Sequence, residues 1–209
     1  MKKRFLGTVL AAALVVSSAI SVFALGSKTA APTVVGESAG KYEITSTTAE
    51  KDEKEVFAEM LEGKAGNLDA ETAAKVVDQM TDLNKGEDLS ETIFENIAVV
   101  APGMSEEEVE KLKEELKDKE QITKTFNLVP IDGGVKNEDG KYVVTLSVPE
   151  ITKDMTGIKL LRYNTETLKY ECIEPESIDY ENKEITFVID DLDLVASPAV
   201  IIADKVEEK

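Results

Sequence analysis

The chain has no histidine, no tryptophan and only one cysteine in 209 residues, and each absence removes chemistry. Without imidazole there is no Ser-His or Cys-His nucleophilic system, no histidine general base and no ordinary zinc site. One thiol cannot close an internal disulfide, so stability has to come from packing. That thiol, Cys172, lies in the alternating segment Leu168-Lys169-Tyr170-Glu171-Cys172-Ile173. No neighbour there is arranged to stabilise a thiolate, and the expected role is a small core residue. Positive charge is scarce as well: 24 Lys and Arg stand against 42 Asp and Glu, a net charge of −18. Binding to nucleic acid or anionic lipid depends on cationic side chains displacing counterions, and such a surface repels both.

Three of the 24 Lys and Arg stand together at the start of the chain. Met1-Lys2-Lys3-Arg4 precedes an uncharged run from Phe5 to Ala24, the pattern of a secretory signal peptide. The run approaches the roughly 20 residues that a bilayer-spanning helix needs. The short basic start and the small-residue exit at Val22-Phe23-Ala24 favour processing over anchoring. Cleavage after Ala24 is expected, with a second exit near Ala30 or Ala31. Processing would leave 21 Lys and Arg against 42 Asp and Glu, net −21. No cysteine lies near Ala24 to carry a lipid, and Asp204-Lys205-Val206-Glu207-Glu208-Lys209 holds neither a hydrophobic tail nor a sorting motif. The expectation is a secreted or cell-surface-associated protein with no membrane insertion after processing.

The remaining chain changes character near residue 120. Residues 25–50 are rich in Ser, Thr, Ala and Gly and are expected to form a flexible lead-in, with Lys41 to Thr45 a candidate added strand. Residues 51–119 carry apolar residues at helical spacing in four pieces: Val56, Phe57, Met60 and Leu61; Ala73, Val76, Val77, Met80 and Leu83; Ile93, Phe94 and Ile97 after a Ser90 cap; and Val109, Leu112 and Leu116. The last piece opens on a capping box, Ser105 with Glu108, and a Met104–Val109 staple. Its narrow stripe and Glu-rich flanks suit a helix with one side in water and not a membrane-surface helix.

From 120 to 205 the period becomes two. Phe126 and Leu128 open it, Tyr142, Val144, Leu146 and Val148 alternate with polar or smaller residues, and 158–163, 168–174, 184–190 and 199–203 supply further strands. Asn137-Glu138-Asp139-Gly140, Asn164-Thr165-Glu166-Thr167 and Glu181-Asn182-Lys183 are the turns between them. With no crossover helices, the strands imply an antiparallel sandwich. The expected fold class is α+β: a small N-terminal helical bundle followed by an antiparallel β-sandwich, which the resemblance described next makes immunoglobulin-like, with residues 206–209 as a tail. Whether the helices form a separate domain or a cap on the sandwich stays open at this point.

The segments Gly140 to Pro149, Ile158 to Asn164, Tyr170 to Ile173, Ile185 to Leu192 and Val195 to Ala199 together resemble the C-terminal immunoglobulin-like β-sandwich modules of secreted proteins from Gram-positive, gut-type bacteria. The resemblance covers about 80 residues. This chain has Tyr170 where the pattern often has Trp, and its Ser197-Pro198 lies farther from the preceding strand. The resemblance implies an exported module and carries no catalytic motif.

Three tyrosines near strand ends, Tyr163, Tyr170 and Tyr180, are the candidate ligand platform, set against packing of their rings into the sandwich. Asp190, Asp191 and Asp193 are the candidate calcium ligands, set against a solvated strand-end turn, because the spaced Asp/Asn and Gly of a dedicated calcium loop are missing. Paired carboxylates for glycoside hydrolysis need no histidine, but no pair stands out. The expectation is a non-enzymatic binding or assembly module that contacts an extracellular protein or cell-wall component. A glycan-binding module and a structural spacer are the alternatives. An exposed strand edge that accepts an extended peptide is a further route to binding.

Overall fold

The computed structural model describes residues 30–46, 68–192 and 197–205. In chain order the elements are β1 (Thr33–Val34), a 3-10 turn (Gly36–Ser38), β2 (Tyr42–Ser46), α1 (Ala70–Lys85), α2 (Leu89–Phe94), α3 (Ile97–Val100) and α4 (Glu106–Leu116). They continue as β3 (Lys119–Gln121), β4 (Phe126–Pro130), β5 (Tyr142–Ser147), β6 (Lys159–Asn164), β7 (Lys169–Ile173), β8 (Pro175–Asp179), β9 (Glu184–Ile189) and β10 (Pro198–Asp204). The expected piece at Val56 to Leu61 lies outside the described residues.

The strands form two antiparallel sheets. One is ordered β1-β5-β9-β8; the other is ordered β2-β4-β10-β6-β7, with β3 also paired to β10. Alternation sets the layers. In β5 and β9, the residues Tyr142, Val144, Leu146, Ile185, Phe187 and Ile189 turn inward to meet Phe126, Leu128, Leu160 and Ile201 of the larger sheet. The opposite face of the larger sheet is apolar too: Leu161, Tyr163, Tyr170, Val200 and Ile202 form one cluster with the helices. β6 and β10 are therefore buried on both faces; β10 accordingly reads as a near-continuous apolar run, whereas β6 carries Arg162 and Asn164 among its buried residues. The molecule has three layers, and the α+β class holds. The helices cover the outer face of the larger sheet and share a core with it.

Each helix has a local cause. In α1, Asp69 accepts a hydrogen bond from the Thr72 amide at 2.8 Å, and Gly86 closes the helix at φ 94°, its amide donating to the Leu83 carbonyl while that of Glu87 donates to Asp82. Ala73, Val76, Val77, Met80 and Leu83 are buried on one face, each large side chain contributing roughly 1.5–3 kcal/mol. α2 is capped by Asp88 and not by Ser90, because the Asp88 carboxylate reaches the Glu91 amide three residues on. The stripe through Ile97 is broken at Glu95-Asn96, where α2 ends and the short α3 starts. α4 opens on the expected capping box, with reciprocal hydrogen bonds between Ser105 and Glu108.

Residues 30–46 contribute a strand to each sheet. β1 pairs with β5 at Thr33↔Ser147 and Val34↔Leu146, and β2 pairs with β4 over Tyr42↔Pro130 to Ser46↔Phe126. The small polar composition that suggests flexibility conceals Val34, Tyr42 and Ile44, all of which pack on the inter-sheet core. Between β3 and β4 the backbone bends at residues 123–125. α1 holds the bend: the Thr125 amide donates to Asn84 Oδ1 at 2.8 Å and its hydroxyl to the Met80 carbonyl at 3.1 Å.

Candidate functional site

Tyr163 and Tyr170 do not form a surface platform. They face each other across β6 and β7, ring centroids 5.1 Å apart in an edge-to-face arrangement, beneath the helices. Both hydroxyls are committed. Tyr163 donates to the Val100 carbonyl at 2.6 Å, and Tyr170 donates to Gln79 Oε1 at 2.6 Å. Gln79 in turn donates through Nε2 to the carbonyls of Thr92 and Ile93. Burial raises the pKa of both phenols, so they remain neutral donors. Tyr180 is half-buried against the inter-sheet core and is the most accessible of the three.

The acidic cluster is taken up by cations of the chain itself. Asp190 Oδ1 lies 2.5 Å from Lys141 Nζ. Asp191 meets Arg162 twice, through its side chain and through its carbonyl oxygen at 2.5 Å from Nη1. Arg162 also donates from Nε to Glu171 Oε2 at 2.9 Å, and Asn164 Nδ2 donates to Glu171 Oε1 at 2.9 Å. The Arg162 side chain is 2% exposed, so a buried guanidinium sits between the two carboxylates where a metal would otherwise be needed. Asp193 lies outside the described residues. Among the described residues, no group of three His, Cys, Asp or Glu side chains is placed to hold a metal ion.

Arg162 is the buried ionic residue of this region that sequence reasoning missed. Its signal was present: it is the only arginine after Arg4, and it interrupts the apolar strand Leu160-Leu161-Arg162-Tyr163. Alternation turns Arg162 and Asn164 toward the space between the sheets, where Glu171 is the direct cross-strand partner of Arg162. A second missed lock joins the ends of the β region. Lys119 of β3 is ion-paired with its cross-strand partner Asp204 of β10 and donates to the Gly157 carbonyl at 2.8 Å, while the Thr156 hydroxyl donates to Asp204 at 2.8 Å. The Lys119 hydrogen bond lowers the Asp204 pKa.

Next to the Arg162 network a cleft of about 310 Å³ opens between β7 and the end of β9. It is lined by Glu171, Cys172 and Ile173 on one side and by Val188, Ile189, Asp190 and Asp191 on the other. Cys172 packs at the margin of the helix–sheet core. Burial pushes its thiol up to about 12, and the neighbouring Glu115 carboxylate acts in the same direction. At neutral pH it is a protonated, weakly reactive thiol. Among the described residues no helix is long and apolar enough to cross a membrane. Comparison of the chain with protein-family models, with curated proteins and with solved structures returns no match.

Proposed function

We propose that the chain is an exported, non-enzymatic binding or assembly module that acts at the bacterial cell surface through protein contacts, built on an immunoglobulin-like sandwich. The strand order supports the sandwich reading. The sequence β1-β5-β9-β8 matches the A-B-E-D order of immunoglobulin domains, and β4-β10-β6-β7 matches G-F-C-C′. The departure is that β4, in the G position, comes early in the chain, after the A strand and β2, instead of last, and that β2 extends the sheet beyond it.

The observation that carries the binding reading is the allocation of polar groups. Arg162, Glu171, Asp191, Lys119, Asp204, Tyr163, Tyr170 and Gln79 are engaged in holding elements together. Among the described residues the β7 edge has no strand partner and a cleft opens beside it, and an open edge recognises partners through its backbone. The basic start and apolar run at Met1 to Ala24 support export.

Fractionation of the native host into medium, wall, membrane and cytosol, with sequencing of the mature N-terminus, tests the proposal. Recovery in the wall or medium with an N-terminus near Leu25 is the expected result. Recovery of the unprocessed chain in the cytosol would reject it. A structural spacer is the second reading, favoured by the shared core of helices and sheet, which makes a stiff unit.

A further inference from the structure

We propose that the cleft between β7 and β9 is the docking site for an extended, lysine- or arginine-bearing segment of another protein, which adds as a strand at this edge. The inference rests on the binding-module reading and gives it a place and a partner chemistry. Two unpaired stretches of backbone line the same cleft. Among the described residues β7 ends its sheet and pairs with β6 alone. β9 pairs with β8 only from Glu184 to Phe187, so beyond Phe187 its β8-facing side has no ladder partner among the described residues. The chain creates this gap when it leaves β7 at Ile173 and enters β8, in the other sheet, at Pro175. A volume of about 310 Å³ lies in the range of sites that bury a small ligand or a few side chains.

Charge selects the occupant. The rim carries three carboxylates, Glu171, Asp190 and Asp191, against two cations, Lys141 and Arg162, so it stays net negative, and the Asp190 and Asp191 side chains are 81% and 58% exposed. Each of these two is paired on one side and retains lone pairs toward solvent. A second copy of the chain, with net charge −18, would bring like charge to this rim. A cationic segment meets complementary charge, while alternate apolar side chains reach the half-buried Ile173 and Val188.

A random octapeptide library selected on the full chain, followed by NMR titration with the enriched peptides, tests the proposal. The expected result is enrichment of peptides bearing Lys or Arg among β-branched residues, with saturable shifts of the amides of residues 169–173 and 188–191. Binding should weaken about tenfold in Asp190→Lys and stay within about twofold in Glu110→Lys, a charge reversal on the far face of α4. Circular dichroism of both variants checks folding. Failure to enrich any peptide, enrichment of acidic or uncharged peptides, or shifts confined to other residues would overturn it. So would equal affinity in Asp190→Lys. A surface partner found in the native host that does not touch this cleft would likewise reject the site and leave the wider reading standing.

Discussion

Replacing Arg162 by Ala is the most demanding test of how this fold uses its polar groups. The guanidinium makes charge-assisted hydrogen bonds to Glu171 and Asp191 from a position that is 2% exposed. Removing one partner of a buried ionic cluster leaves the others uncompensated, which typically costs about 3–5 kcal/mol. Here the orphaned carboxylates can turn to water, since the Glu171 and Asp191 side chains are 34% and 58% exposed. The expected loss is therefore lower, about 2–3 kcal/mol, including the packing of the aliphatic stem. Arg162→Lys should fall between Ala and the wild type, because a single ammonium cannot span the two carboxylates as the fork does. Urea unfolding, analysed by linear extrapolation at constant m-value, provides the measurement. A loss below about 1 kcal/mol for Arg162→Ala would refute the reasoning and reopen the acidic cluster as a cation site.

Three further outcomes follow from named contacts. Tyr170→Phe leaves buried Gln79 Oε1 without its donor and should cost about 1–3 kcal/mol in urea unfolding; no loss would mean that the hydrogen bond does not tie helix to sheet. Glu108 is held down at about 2, against 4.5 in a free chain, first by the hydrogen bond from Lys169 and then by the Ser105 backbone. Because the folded value is depressed, its stabilisation is present above about pH 4.5 and disappears as pH falls toward 2. Glu108→Gln should therefore be less stable than the wild type at neutral pH and converge with it in acid, and parallel curves would contradict this. Gly157 sits at φ 59° with its α-carbon facing the Lys119–Asp204 pair, so Gly157→Ala combines a strained backbone with a collision. A drop of about 1–3 kcal/mol is expected, and an unchanged melting temperature would contradict it.

Periodicity made most of the sheet legible. The strand from Tyr142 to Ser147 alternates cleanly because one face is buried and the other open, and Ser105 with Glu108 identifies the start of α4 from four residues. The strand at Tyr42–Ser46 was marked by only two apolar residues, and its pairing with β4 is a non-local fact that no window of sequence contains. The cap of α2 was misplaced because Asp88 and Ser90 are both good cap types and only backbone geometry chooses between them. The tyrosines near strand ends were correctly placed along the strands. Whether such a ring faces solvent or a third layer depends on where the helices lie, and here they cover Tyr163 and Tyr170. Arg162 was visible as an isolated charge in an apolar strand, but its partners are 9 and 29 residues away and converge only through the β6–β7 pairing and the return of β9.

The claim that this chain works through strand-edge contact and not through chemistry is tested most directly by photo-crosslinking in the native host. A photoreactive residue placed at Asp190, beside the cleft, is compared with one at Lys113 on the exposed side of α4. The account predicts a recurrent adduct with one extracellular or wall protein from position 190 and none from position 113. No adduct from 190, or the same adducts from both positions, would contradict it.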